Sequence, residues 1–152
     1  MRPESANVPG AESSFMKQFL KDGAGLGLAF WLIGYTLGIV LFLTPLAPVM
    51  GWILFICLTP VMAVVTYWWF SGRGLPWGYF VKIAVAWTAI AILFDYLFIV
   101  LLFHLAAYYQ PDVLAYYAVT FLLPLGVGWY LQGRRPAYVR EQSRAGSRQK
   151  GI

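Results

Sequence analysis

Four apolar stretches separated by short polar breaks organise this chain. They cover about 24–43, 49–70, 79–103 and 113–131, each close to the ~20 residues that cross a hydrocarbon core of about 30 Å. The pattern predicts an all-α integral membrane fold with four transmembrane helices, arranged as two antiparallel hairpins. Residues 23–132 form the bundle. Residues 1–22 are a polar tail with a short interfacial segment, and 133–152 a basic flexible tail. Thr44-Pro45-Leu46-Ala47-Pro48 is a turn too short for any other element, so spans 1 and 2 run antiparallel. Pro60 and Pro124 fall inside spans 2 and 4. Each removes a backbone donor, freeing the carbonyls of Ile56 and Thr120 and predicting a kink.

Before span 1, Ser13 or Ser14 can cap a short helix over Phe15–Asp22. Phe15 and Phe19 share one side of it and Lys17 and Lys21 another, as in an interfacial segment. A basic flank of span 1 is the competing reading. The first apolar run is too long for a signal-peptide core and has no small-x-small cleavage site, so no cleavable leader is expected.

Span 3 contains the one feature that needs a reason. Asp95 lies inside it, at a cost of about 2.5–3.5 kcal/mol on an insertion scale. Thirteen Leu, Ile, Val and Phe residues between Ile83 and Phe103 outweigh that cost, at roughly 0.3–0.6 kcal/mol each. A rise of about 1.5 Å per residue places Tyr35, Cys57, Thr59 and Thr120 at the depth of Asp95. The expected result is a polar layer across the four spans. It is either a structural knot of hydrogen bonds or a site for a proton, a cation or a polar headgroup.

Small residues mark the expected helix seams. Gly27, Gly34 and Gly38 share one face of span 1, and Gly34 and Gly38 form a GxxxG pair that lets backbones approach. Ala84, Thr88 and Ala91 make a small-residue stripe on the Asp95 face of span 3.

Composition agrees with lipid as the solvent: 61% of the residues are hydrophobic and 11% charged. The net charge of +5 does not indicate nucleic acid, because the basic residues lie outside or at the edges of the apolar runs. All eleven Lys and Arg fall in the N-terminal flank, the second loop with its flank, or the C-terminal tail. By the positive-inside rule both termini are cytoplasmic, in a multi-pass protein of the plasma or inner membrane. Arg134, Arg135 and Arg140 are candidates for contact with anionic lipid. Spans 2 and 4 leave the membrane through similar sequences, Trp69-Phe70-Ser71-Gly72-Arg73 and Tyr130-Leu131-Gln132-Gly133-Arg134, a faint sign of a parallel repeat.

Candidate chemistry is sparse. The single cysteine excludes an internal disulfide. There is no paired carboxylate, nucleophile–base set, histidine cluster or phosphate loop, so no catalytic residue, metal or cofactor is assigned. His104 and Asp112 flank the third loop, with no further ligand to make a metal site. The leading expectation is a binding, accessory or scaffold protein, contacting membrane lipids and homo-oligomeric or joined to other membrane subunits. A proton- or cation-linked transporter or channel centred on Asp95 is the second expectation, and a lipid-modifying enzyme the third.

Overall fold

The computed structural model describes residues 9–104 and 108–134, with side chains from 13 onward. Arg135 and Arg140, most of the basic tail, and the first eight residues lie outside the described residues. Among the described residues every regular element is helical: α1 (Pro9–Phe19), α2 (Leu26–Phe42), α3 (Met50–Phe70), α4 (Trp77–Asp95) and α5 (Pro111–Gly133). Four helices are long and apolar enough to cross a membrane, and no strand is present among the described residues.

The N-terminal helix differs from expectation. The expected interfacial helix is not set off from span 1: α1 continues into α2 through a π-helical turn at Leu20–Gly25. A second π-helical stretch, Tyr96–Leu101, extends α4 directly after Asp95. Such turns insert one residue into the helix and re-aim the side chains around them. Pro60 and Pro124 lie inside continuous α3 and α5.

The connections follow from turn chemistry. After α2, the Thr44 hydroxyl donates to the Leu41 carbonyl at 2.6 Å and accepts the Leu46 amide at 3.2 Å. That closes the turn before the 3-10 segment Ala47–Val49. Between α3 and α4, Gly72 and Gly74 have φ of 77° and 61°. Only glycine enters this region without strain, and the pair lets the loop fold Arg73 back onto the bundle. Pro111 opens α5 at a first-turn position where its missing N–H costs no hydrogen bond.

The helices pack as a ring in which α2 touches α3, α3 touches α5, α5 touches α4 and α4 touches α2, with sparse contact across the diagonals. One core lies at the Asp22 end, where Phe30, Met62, Phe70, Tyr79, Phe80, Ile83 and Trp87 are buried together. A smaller one, Trp31, Ala91 and Tyr117, surrounds Asp95. Large apolar side chains such as Leu32, Ile56, Leu93 and Leu122 point outward from each helix. In lipid such faces need no cover, and helix association rests on close packing and interhelical hydrogen bonds.

Close packing falls at other glycines than the expected pair. A Cβ on Gly128 would lie 2.5 Å from the Phe80 ring, and one on Gly27 2.6 Å from Trp87. At Gly34 and Gly38 a Cβ would meet its nearest neighbours at 3.6 and 3.7 Å, ordinary van der Waals contact. The GxxxG pair therefore does not bring backbones together here; it lines a cavity. Ala84 and Ala91 are buried, and the Thr88 hydroxyl donates to the Ala84 carbonyl at 2.9 Å.

Candidate functional site: two buried carboxylates and an intrabundle cavity

Asp95, 7% exposed, ends α4 and accepts three hydrogen bonds from neutral donors. The Trp31 indole N–H reaches Oδ1 at 2.8 Å. The Tyr117 and Tyr108 hydroxyls donate to Oδ2 at 2.6 and 3.0 Å. One carboxylate thus ties α2, α4, α5 and the segment before α5. Trp31 is held for this by rings on two sides, stacked with Tyr35 at 4.9 Å and packed on Phe94 at 4.9 Å.

The residues expected beside Asp95 divide. Tyr35 buttresses Trp31 and lines the cavity without bonding the carboxylate. Thr120 is buried, lines the same cavity, and donates to the Tyr116 carbonyl at 2.9 Å. Thr59 has a buried hydroxyl with no partner among the described residues. Cys57 is exposed on the outer face of α3. Helix rotation decides which side chains meet, and tyrosine and tryptophan reach further than threonine. Tyr117 was legible in part, since it lies three residues before Thr120 on the same face.

Sequence reasoning placed Asp22 in the interfacial flank. It is 1% exposed, and its carboxylate accepts four hydrogen bonds. Arg73 grips it with both ends of its guanidinium, at 3.2 and 2.7 Å. The Trp69 indole donates at 2.9 Å and the Tyr79 hydroxyl at 2.6 Å. The π-helical turn contributes as well. The Leu26 amide bonds the carbonyls of Lys21 and Gly23, and the Asp22 carbonyl accepts the Trp87 indole N–H at 3.0 Å. The available signal was one of level. Asp22 starts span 1 and Arg73 follows span 2, so an antiparallel pair brings them together.

Between the helices of the ring lies a cavity of about 660 Å³. It extends from Gly27 and Trp87 to Leu43 and Phe103, about 24 Å along α2 at 1.5 Å per residue. Gly34, Gly38, Leu54, Leu58 and Met62 form apolar walls. Asp95 lines the cavity midway between Trp87 and Phe103, Gln110 and Asp112 line its far end, and no Lys or Arg is among the lining residues. Asp112, in the first turn of α5, lies against Gly51 in the first turn of α3, where any Cβ would overlap its carboxylate. Both helix N-termini favour negative charge at that point. No group of three or more potential metal ligands occurs among the described residues. Arg134 lies over the Tyr130 ring at 4.6 Å, at the end of α5.

Neither a protein-family model nor a curated protein nor a solved structure matches this chain.

Proposed function

We propose that this is a multi-pass membrane protein of binding type, which holds one long-chain amphiphile inside its helix ring. The observation that carries the reading is the cavity: lined over some 24 Å by helix rise, apolar along most of its walls, with Asp95 midway and Asp112 at one end. Binding pockets combine apolar walls with a few placed polar groups in this way. An extended acyl or prenyl chain suits apolar walls of that extent. Asp112 at the far end and Asp95 midway, with no Lys or Arg among the lining residues, suit a neutral or cationic head that donates hydrogen bonds.

The spans form two antiparallel hairpins with both termini cytoplasmic, a reading supported by the absence of Lys and Arg from loops one and three. The carrier or channel reading has less support. Asp95 is already bonded to three donors, and tight packing of Trp87 against Phe30 and Gly27 closes the cavity toward Asp22.

Native mass spectrometry of gently solubilised protein tests the proposal. Wild-type chains are expected to retain one amphiphile each. Gly34→Leu with Gly38→Leu, which fills the cavity from a wall where a Cβ already fits, is expected to lower retention about tenfold, a loss of some 1.4 kcal/mol. Bare wild-type protein, or equal retention by the filled variant, would reject the reading.

A further inference from the structure

A second recess lies at the opposite end of the molecule, outside the ring. It has a volume of about 520 Å³ and is lined by Lys17, Gln18, Lys21, Asp22, Trp68, Trp69 and Arg73. Three cations and one carboxylate face it. The carboxylate is occupied within the fold, with two donors on each oxygen, and Arg73 balances its charge. Lys17 and Lys21 are left to set the sign of the recess. They stand four residues apart, on neighbouring turns, and both are exposed. Lys21 extends over the Trp69 ring at 5.5 Å. That ring is a fixed wall, because its N–H is held by Asp22.

Depth adds an independent constraint. The recess sits where α3 ends at Phe70 and just short of where α4 begins at Trp77. This is the level at which spans leave the hydrocarbon, and tryptophan and lysine collect there, beside lipid phosphates. A positively charged recess with an indole floor at that level matches one kind of molecule.

We propose that the recess formed by Lys17, Lys21, Trp69 and Arg73 binds the phosphate of an anionic phospholipid headgroup. The two lysines supply the charge-assisted hydrogen bonds. Trp68 and Trp69 bury the glycerol and the first methylenes, as interfacial aromatic rings do. Asp22 acts by holding Trp69 and Arg73 in place and does not touch the lipid. This site is separate from the intrabundle cavity and would stand if the cavity proved empty.

The test uses the full chain reconstituted in vesicles of equal parts phosphatidylglycerol and phosphatidylcholine, extracted gently and weighed by native mass spectrometry. Wild-type protein is expected to keep phosphatidylglycerol in preference to phosphatidylcholine. Lys17→Gln with Lys21→Gln is expected to lower that preference about tenfold or more, with unchanged thermal unfolding because both side chains are exposed. Lys17→Arg with Lys21→Arg is expected to keep it. The cavity-filled variant, Gly34→Leu with Gly38→Leu, is expected to keep it too, which separates this site from the first. Undiminished preference in the double glutamine variant would overturn the proposal. So would its loss in a chain carrying only Arg134→Gln and Arg140→Gln. Displacement of the lipid by excess inorganic phosphate would assign the recess to a free anion instead, and would likewise overturn it.

Discussion

At the scale of single residues, the two buried acids have donors of different kinds, and the same substitution separates them. Trp31 can only donate to Asp95, but the Tyr108 and Tyr117 hydroxyls can turn and accept. Asparagine at 95 can therefore accept from Trp31 and donate to the two tyrosines. Asp95→Asn is expected to cost no more than about 1 kcal/mol in thermal unfolding, whereas Asp95→Leu leaves the buried indole N–H unpaired at about 1–3 kcal/mol. Asp22 has no such freedom. The Arg73 fork occupies both oxygens and Trp69 shares one of them, all donors only. Asp22→Asn sets an amide N–H against a guanidinium. The loss should approach the roughly 3–5 kcal/mol of a broken buried pair, moderated by the 25% exposure of Arg73. Equal losses at 22 and 95 would contradict this donor count. Thr66 runs the other way: its hydroxyl is fully buried with no partner among the described residues. Thr66→Val replaces it with a methyl group of the same shape and is expected to raise the midpoint of unfolding by about 1 kcal/mol equivalent.

At the scale of elements, the helices were legible and their faces were not. Length and apolarity located four helical spans, because in lipid those two properties alone decide whether a segment crosses. Rotation depends on which side chains interlock, and the period of a helix with no polar face carries little information about that. The glycines of α2 illustrate it, since GxxxG in a sequence marks only the option of close approach. Here Gly34 and Gly38 meet α3 only at ordinary contact distance, and the ring contacts that need glycine are Gly27 of α2 on Trp87 of α4 and Gly128 of α5 on Phe80 of α4. Phe80 is 1% exposed and faces Gly128. Gly128→Ala should push that ring against its neighbours and cost about 1–3 kcal/mol by overpacking. Gly126, two residues earlier and with nothing within 4 Å of a Cβ, is the matched control. Gly126→Ala is expected to be neutral or slightly stabilising, by the better helix propensity of alanine. Equal responses at the two positions would mean that α4 and α5 do not meet as described. The π-helical turns were beyond sequence reading too. They have no composition of their own, and backbone hydrogen bonding alone distinguishes them from the α-helix on either side.

At the scale of the whole molecule, charge lies at one end and the cavity opens toward the other, and both rest on one orientation. The contact of Asp22 with Arg73 and Tyr79 puts the start of α2, the end of α3 and the start of α4 together. The described basic residues share that end. The turn at Thr44–Pro48 lies across α3 from Ser71, about 30 Å away by helix rise, which matches the hydrocarbon thickness. Cys57 lies between them on an exposed face of α3, so in a bilayer it should resist a membrane-impermeant maleimide. In a Cys57→Ser chain, Leu46→Cys is then expected to label in intact cells with the impermeant reagent, and Ser71→Cys only after permeabilisation. The direction is that of the proposed orientation, in which the eleven Lys and Arg residues face the cytoplasm by the positive-inside rule. Labelling with the two sites exchanged would invert the molecule and turn the basic recess toward the wrong leaflet. Labelling of both sites from one side would remove α3 as a span, and with it the wall that α3 gives the cavity.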